Sequence, residues 1–249
     1  MSNQQLAITR VANACVLIEL NGHTVLTDPW FTERWYLRRG EPLGVRVADL
    51  PPVTAIVATN FAVNHWDLRA LAAYPYKDSA CVYVSSERMA RQARARGYRR
   101  VEVLRWNDTR EPMPSLRVEA VPAGRMLRWH HNAYVLSAGA TRVFFGGEIR
   151  DVALLRRYAA EHPPVDVALL PTNGLKPLLG PPLVMGPAEA VSGATALGAT
   201  VLVPVHDAHA RDPLSLFFRR HGAARDAPAL APAQLRVELL EPGQRWLYR

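Results

Sequence analysis

Two histidines of the sequence follow short apolar segments, in positions from which a side chain could do chemistry. The segment 54–59, TAIVAT, leads through NFAVN to His65, and the segment 201–205, VLVPV, leads to His206. Histidine exchanges protons near neutral pH and is also the commonest protein ligand of transition metals. These side chains are therefore the first candidates for a reaction centre, by acid–base catalysis or by metal binding.

Other common reaction centres find no support in the sequence. There is no G-x-S-x-G pattern, no glycine-rich phosphate loop after a strand, and no assignable base for Ser85, Ser86 or Ser192. The two cysteines, Cys15 and Cys81, lack the spacing of a zinc site, and Cys15 occurs in an apolar strand, where a thiol packs as a small hydrophobic group. Nucleophilic serine or cysteine catalysis is therefore not expected.

The apolar patterning predicts one α/β domain over residues 1–249. A strand-rich first half is followed by alternating helices and strands, which is typical of sheets layered with helices. Residues 32–52 and 223–233 are expected to be connections. We expect strands at 11–20, 23–27, 54–59, 81–85, 101–104, 116–121, 133–137, 142–145, 165–170, 201–205 and 235–240, and helices at 67–74, 86–96, 153–161, 187–197 and 214–221.

Composition favours a soluble globular protein, because 49% of the residues are hydrophobic and 21% are charged. No apolar run reaches the ~18 residues of a membrane-spanning helix, and residues 1–20 lack the pattern of a secretory signal. We therefore expect a cytoplasmic protein with no membrane partner. The net charge of +8 is almost wholly arginine. A nucleic-acid partner is not favoured, because Tyr98 is the one aromatic residue among the arginines of the run 88–100, too few to stack successive bases.

Six segments, in order along the chain, resemble the metallo-β-lactamase superfamily. The nearest branch is the lactonase-like and phospholipase-D-like group. The resemblance implies a four-layer αββα sandwich and, in a typical member, two zinc ions that share a bridging hydroxide. The segments are VANACVLIELNGHTVLTDPWF (11–31), TAIVATNFAVNHWDL (54–68), VEAVPAGR (118–125), VFFGGEI (143–149), VDVALLPTNG (165–174) and MGPAEAVSGATALGATVLVPVH (185–206).

The resemblance also implies metal-ligand positions, and this chain departs from those of the first zinc site. The first two histidines of the family motif fall at Asn60 and Ala62, and the third falls at Arg125, or at Gly124 if the alignment shifts by one residue. Alanine has no donor atom, and a guanidinium is a permanent cation that only donates hydrogen bonds. We therefore expect that the first site binds no metal.

The second zinc site is only half lost. The motif aspartate falls at Asn64 and the bridging aspartate at Glu148, whereas His65 and His206 stand at family histidine positions. Two histidines and a carboxylate can bind one zinc or iron ion. Our leading expectation is that the protein binds no cofactor. The alternative is one zinc or iron ion at these three residues. Arg125 could fill the place of the missing ion and pair with Glu148 or an anionic ligand.

Six side chains near these positions are expected to bind substrate. Asp28 and Asp67 keep positions that in the family lie near the metals, although capping a turn or the helix after His65 is an open alternative. Trp66 and His131 could form a pocket wall, and His131 could instead replace a lost ligand. The expected substrate-binding residues are Asn60, Asn64, Asp67, Asp28, Trp66 and His131.

Three functions remain open at this point. The first is an atypical hydrolase or lyase that acts on a small anionic, ester or lactone substrate without the standard two-zinc mechanism. The second is a non-catalytic protein that binds a small ligand or a partner in the inherited pocket, and nucleic-acid binding is a minor third. The expected catalytic residues of the first are His65, His206, Glu148 and Arg125.

Overall fold

The computed structural model describes residues 6–126, 129–208 and 210–248, without the side chains of residues 125, 126 and 129. These residues form two large sheets and four helices, joined by turns and loops. The strands are β1 Leu6–Ala12, β2 Cys15–Leu20, β3 His23–Thr27, β4 Ala55–Ala58, β5 Cys81–Val84, β6 Arg100–Val103, β7 Thr109–Met113, β8 Leu116–Met126, β9 Trp129–Ala138, β10 Thr141–Phe145, β11 Val167–Pro171, β12 Lys176–Pro177, β13 Val201–Val205, β14 Phe218–Arg219, β15 Arg236–Val237 and β16 Arg245–Leu247. The helices are α1 Leu68–Ala73, α2 Glu87–Arg94, α3 Val152–Glu161 and α4 Pro187–Ala196.

Each large sheet combines an antiparallel part with a parallel part. The first sheet has the order β16-β1-β2-β3-β4-β5-β6, and the second has the order β15-β13-β11-β10-β9-β8-β7. Strands β3 to β6 run parallel, as do β10, β11, β13 and β15. The short pair β12–β14 lies apart from both sheets. Among the described residues, no helix is long and apolar enough to cross a membrane.

Strand β4 shows how the layers are packed, because its side chains point alternately to its two faces. Ala55 and Val57 belong to the hydrophobic core between the two sheets. Ile56 and Ala58 belong to a second core, which the first sheet shares with α1 and α2. A third core, which includes Phe144, lies between the second sheet and the helices α3 and α4. The predicted four-layer αββα sandwich is thus confirmed.

Two predicted elements are wrong, both because of turns that sequence patterning does not reveal. Residues 11–20 are not one strand, since β1 ends at Ala12 and β2 begins at Cys15. Asn13 makes the turn between them with a φ of 56°, a left-handed conformation that asparagine tolerates. Residues 214–221 are not an α-helix, because a 3₁₀ turn at Leu214–Phe217 is followed by β14, which pairs with the distant β12.

The remaining differences concern strand ends and edge strands. The strands β8 and β9 are longer than the predicted 116–121 and 133–137 and form one long hairpin. Only residues 236–237 of the predicted strand 235–240 pair with a neighbour. Strands β7 and β16 were not predicted, and both lie at the edge of a sheet. An edge strand buries little surface and tolerates Pro112, so its apolar alternation is weak.

Candidate active site

The candidate site lies where parallel strands of both sheets end. In parallel sheets, side chains that follow the carboxyl ends of neighbouring strands are brought to one edge, where ligands commonly bind. His65 reaches the same place from the loop between β4 and α1. The residues that follow these strand ends are Asp28 after β3, Asn60 after β4, Glu148 after β10, Asn173 after β11 and His206 after β13.

Three side chains converge at the centre of the site. The Nε2 atom of His65 lies 3.0 Å from Oε1 of Glu148 and 3.1 Å from Nε2 of His206. The Nε2 atom of His206 lies 3.1 Å from the same Glu148 oxygen. Both histidines are fully buried, whereas the Glu148 side chain is 10% exposed. The cluster therefore faces the adjoining pocket through Glu148.

These three residues fit one metal ion. Their ligand atoms lie within 4.8 Å of one another. In a tetrahedral zinc site, bonds of ~2.0–2.1 Å place neighbouring ligand atoms about 3.3 Å apart, and the observed separations of 3.0–3.1 Å are close to this. Two histidines and one carboxylate also leave a fourth position open, as catalytic zinc sites do. The spacing therefore supports the single-ion alternative among the cofactor predictions.

Asp28 holds His65 in the orientation that this centre needs. The Nδ1–H group of His65 donates a hydrogen bond of 2.6 Å to Oδ2 of Asp28. Asp28 also accepts hydrogen bonds from the backbone N–H and the hydroxyl group of Thr59, at 2.7 and 2.8 Å. A carboxylate behind a histidine is the usual support of a metal ligand. Asp28 is fully buried and does not line the pocket, so its contacts do not support the predicted role in substrate binding.

Asn60, which stands where the first family histidine is expected, donates a hydrogen bond to Glu148. Its Nδ2 atom lies 3.0 Å from Oε2 of Glu148, while its Oδ1 atom accepts a hydrogen bond of 2.8 Å from the backbone N–H of Ala62. The backbone contact fixes which end of the amide faces the carboxylate. Gly147 permits this close packing, because a Cβ atom there would collide with Thr59.

The charges of the cluster depend strongly on one another. Burial by itself lowers the pKa of His65, but the charges and hydrogen bonds of Glu148 and Asp28 outweigh it and raise the pKa to about 10. Burial by itself raises the pKa of Glu148, but the His65 charge and hydrogen bonds from both histidines hold it well below its usual value. Without a metal, His65 is therefore an imidazolium between two carboxylates. An ion that binds to its Nε2 atom must displace a proton.

Asn173 contacts the other ring nitrogen of His206 and was not predicted from the sequence. Its Nδ2 atom lies 3.1 Å from Nδ1 of His206, and its Oδ1 atom accepts a hydrogen bond of 3.1 Å from the backbone N–H of Leu175. A metal-binding histidine normally donates its second N–H to an acceptor. Asn173 instead presents a donor, which must rotate and lose the Leu175 bond when His206 binds a metal. Asn173 should therefore weaken metal binding.

A pocket of about 230 Å³ opens beside the cluster. Three of the six predicted substrate-binding residues, Asn60, Asn64 and His131, line it together with Glu148. The Nδ1 atom of His131 lies 3.9 Å from Oε2 of Glu148, and burial lowers the pKa of His131. The rest of the lining is mainly apolar, and Arg220 supplies a cation. The remaining lining residues are Leu37, Phe61, Ala62, Leu175, Leu183, Ala210, Asp212, Leu214, Ser215, Phe218 and Arg220.

Asp67 and Trp66 do not line this pocket. Asp67 is fully buried, caps the N-terminus of α1, and accepts hydrogen bonds from the backbone N–H groups of Phe31 and Thr32. Trp66 is 3% exposed and donates its indole N–H to Gln92. These contacts favour the capping interpretation of Asp67 over substrate binding, and they place Trp66 in the core beside α2.

Two sequence predictions concern the Arg125 side chain, which lies outside the described part of the structure. Its predicted roles as a substitute for the first metal ion and as a catalytic residue therefore stay predictions. The backbone places Arg125 opposite His130, and Gly124 opposite His131, across the β8–β9 hairpin. His131 thus stands directly beside one of the two positions at which the third family histidine was expected.

Comparison with known proteins assigns the family. Residues 23–206 match the family model described as the beta-lactamase superfamily domain. The chain belongs to this superfamily. Among curated sequences, the uncharacterized protein Rv0906 of Mycobacterium tuberculosis is 30% identical over 222 residues, which cover 81% of this chain and 58% of that protein. The uncharacterized protein Mb0930 of Mycobacterium bovis matches to the same extent. The chain thus spans less than two thirds of the length of these relatives.

Solved structures of low sequence identity share the fold of this superfamily member. The isothiocyanate hydrolase from Delia radicum gut bacteria is 18% identical with a TM-score of 0.77, and the match covers 97% of this chain and 98% of that one. The metallo hydrolase Igni18 of Ignicoccus hospitalis is 16% identical with a TM-score of 0.73, over 98% of this chain and 99% of that one. At these identities, the likeness supports the fold alone.

The capping role of Asp67 predicts a loss of stability on substitution. Asp67→Ala is expected to lower the free energy of unfolding by about 2–4 kcal/mol, because it removes a helix cap and leaves buried N–H groups without an acceptor. Urea unfolding followed by circular dichroism measures the change. The matched control is Asp49→Ala, since Asp49 pairs with Arg46 at an exposed position and should leave stability unchanged. Equal stability of the two variants would contradict the structural role.

The raised pKa of His65 predicts a pH dependence in protein freed of metal by chelation. As pH rises from 6.5 to about 10, the unfolded chain has lost the His65 proton while the folded protein still holds it. The folded state then binds more protons than the unfolded state, so the free energy of unfolding should fall over this range. Urea titrations at stepped pH should show a smaller fall in His65→Gln than in the control His23→Gln. An equal fall in the free energy of unfolding in both variants would contradict the raised pKa of His65.

Asn173 predicts a specific change in metal affinity. Asn173→Asp gives His206 Nδ1–H an acceptor, so the variant should bind Zn²⁺ about 10–100-fold more tightly than the parent protein. Calorimetric titration of metal-free protein provides the measurement. The control Asn107→Asp introduces the same charge in a turn outside the pocket and the cluster, and should leave the affinity unchanged. An unchanged or weaker affinity in Asn173→Asp would contradict the proposed role of the amide.

Proposed function

We propose that this protein is a hydrolase of a small ester or lactone substrate, with one metal ion at His65, Glu148 and His206. The observation that carries the proposal is the convergence of three ligand atoms, 3.0–3.1 Å apart, beside a mainly apolar pocket that Glu148 lines. The family assignment supports hydrolase-like chemistry, since the superfamily fold is shared with proteins described as metal-dependent hydrolases. The loss of the first-site ligands argues for one ion rather than two.

An ion at these residues would lower the pKa of bound water and polarise a substrate carbonyl. The remaining steps belong to the side chains of the chain itself. Asp28 keeps the Nε2 atom of His65 directed at the centre, and Asn60 orients the Glu148 carboxylate. His131 lines the pocket, and its lowered pKa keeps the imidazole neutral at pH 7. His131 is therefore suited to act as a general base that accepts a proton from an attacking water molecule.

The pocket lining supports a substrate class. Its volume of about 230 Å³ suits a small molecule. Its exposed wall is mainly apolar, with leucine and phenylalanine side chains among the lining, so the body of the substrate should be apolar. Arg220 lies in the lining and would pair with an anionic group of the substrate, such as a carboxylate. The expected substrate is therefore small and anionic, as the sequence predicts, and it also has an apolar body.

A non-catalytic role in ligand binding is the second candidate, because Asn173 presents a donor where a metal ligand needs an acceptor. A protein that has lost metal binding would keep the same pocket and the same apolar lining. Nucleic-acid binding is less well supported, since an apolar pocket of this size does not suit a polyanion.

Hydrolysis can be tested with protein loaded separately with Zn²⁺, Mn²⁺ or Fe²⁺. The substrates are short-chain aryl esters and lactones, with and without a carboxylate. We expect turnover with at least one metal, and a loss of about 100-fold or more in Glu148→Gln, because the charge that holds the ion is removed. The control Glu161→Gln alters an exposed residue and should keep full activity. Ligand binding by thermal shift without any turnover would instead support the non-catalytic role.

The position of Arg220 predicts selectivity among these substrates. Arg220→Ala is expected to raise KM about tenfold for carboxylate-bearing substrates, with little effect on neutral ones, because a charge-assisted hydrogen bond is lost. Steady-state kinetics on matched charged and neutral esters measure the effect. Arg219→Ala is the control, since Arg219 is exposed on β14 but does not line the pocket. Equal effects on both substrate types would rule out the anion-binding role.

A further inference from the structure

Exposed apolar side chains are concentrated around the pocket. Of the eleven large hydrophobic side chains that are exposed among the described residues, six lie in the segments that border this opening. Leu179 is 93% exposed, Trp35 is 76% exposed and Leu216 is 73% exposed. We call the whole set the mouth surface. Its members are Trp35, Leu178, Leu179, Leu214, Leu216 and Phe217.

Backbone contacts join the three chain segments that carry the mouth surface. The N–H group of Leu178 donates a hydrogen bond of 3.0 Å to the carbonyl oxygen of Phe217, next to the paired strands β12 and β14. The N–H group of Leu214 donates to the carbonyl oxygen of Tyr36, whose ring packs edge-on against Trp35. Leu214 also lines the pocket. The mouth surface is therefore continuous with the pocket wall.

The loop that exposes Leu216 and Phe217 is held in place by Asp212. One carboxylate oxygen of Asp212 accepts the backbone N–H of Ser215, and the other accepts the backbone N–H of Arg38. Exposure of these side chains is thus a property of an ordered turn with fixed hydrogen bonds. Exposed apolar patches with a polar rim typically mark a surface that binds a partner.

The surroundings of the mouth surface are cationic. Arg38, Arg211, Arg219 and Arg220 are exposed, and Lys176 is half-buried. Within the part of the chain that the structure describes, none of these five has a carboxylate within 4.0 Å, unlike Arg10, Arg46 or Arg245 elsewhere. The acidic residue of this loop, Asp212, is 9% exposed and accepts backbone N–H groups. The surface is therefore both apolar and positively charged.

We propose that the mouth surface docks on an anionic lipid bilayer. Tryptophan, phenylalanine and leucine side chains that insert among headgroups, together with arginines that pair with anionic lipids, are the features of interfacial binding. A second copy of the chain is a poorer occupant, because it would bring two sets of like charges together. Docking would also place the apolar pocket against the lipid phase, and it does not depend on hydrolysis. This proposal differs from the expectation from sequence that the protein has no membrane partner, which stays untested.

Vesicle co-sedimentation of the full chain tests the proposal. Vesicles of phosphatidylcholine alone are compared with vesicles that also contain phosphatidylglycerol. We expect binding to the anionic vesicles, weakened by added salt. The variant Leu179→Ser/Leu216→Ser/Phe217→Ser should lose at least about tenfold in affinity. The control Met113→Ser/Leu230→Ser removes two exposed hydrophobic side chains outside the mouth surface and should bind as the parent does.

Several outcomes would overturn the proposal. Absence of binding to anionic vesicles would do so, as would equal losses in the test and control variants when circular dichroism shows both to be folded. A concentration-dependent dimer that the triple variant abolishes, without lipid binding, would assign the surface to a second copy of the chain. Glu148→Gln should dock like the parent protein. A failure of docking is thereby distinguished from a failure of the proposed hydrolase activity.

Discussion

The histidine His65, placed between two carboxylates, is the interaction on which the site depends. Asp28 follows a strand of the first sheet, and Glu148 follows a strand of the second, so the ring bridges the two halves of the sandwich. All three groups are buried or nearly so, and unpaired charges at such depth would be strongly destabilising. The sheets must therefore meet in one register for the charges to be satisfied, which also brings His206 within reach of the same oxygen.

The contacts around this histidine both favour and oppose metal binding. Asn60, at the position where the first family histidine is expected, donates a hydrogen bond to Glu148, a role that a neutral amide fills without an ion. The ligand atoms of His65, Glu148 and His206 have a separation suitable for one ion, although Asn173 presents a donor to His206. The centre thus combines a ligand spacing that favours a metal ion with a hydrogen-bond partner, Asn173, that opposes metal binding. A weakly held single ion accounts for both features.

Much of the fold could be predicted from local patterns. The run TAIVAT is buried on both faces as β4, and the order of six short segments predicts the sandwich. The turn at Asn13 and the strand β14 could not be predicted, because they depend on a left-handed residue and on pairing with β12. The convergence of His65, Glu148 and His206 followed from motif positions. Asn173 and Arg220 carry no motif and act through contacts that only the folded chain provides.

The proposed metal centre binds one ion at His65, Glu148 and His206. The most direct measurement is equilibrium dialysis of chelator-treated protein against Zn²⁺, followed by elemental analysis of the protein fraction. We predict one bound ion per chain, none in His206→Ala, and one in the control His23→Ala. Two ions per chain would show that the first site also binds a metal, through ligands other than the expected histidines. No bound ion, or an ion that His206→Ala retains, would contradict the single-metal centre.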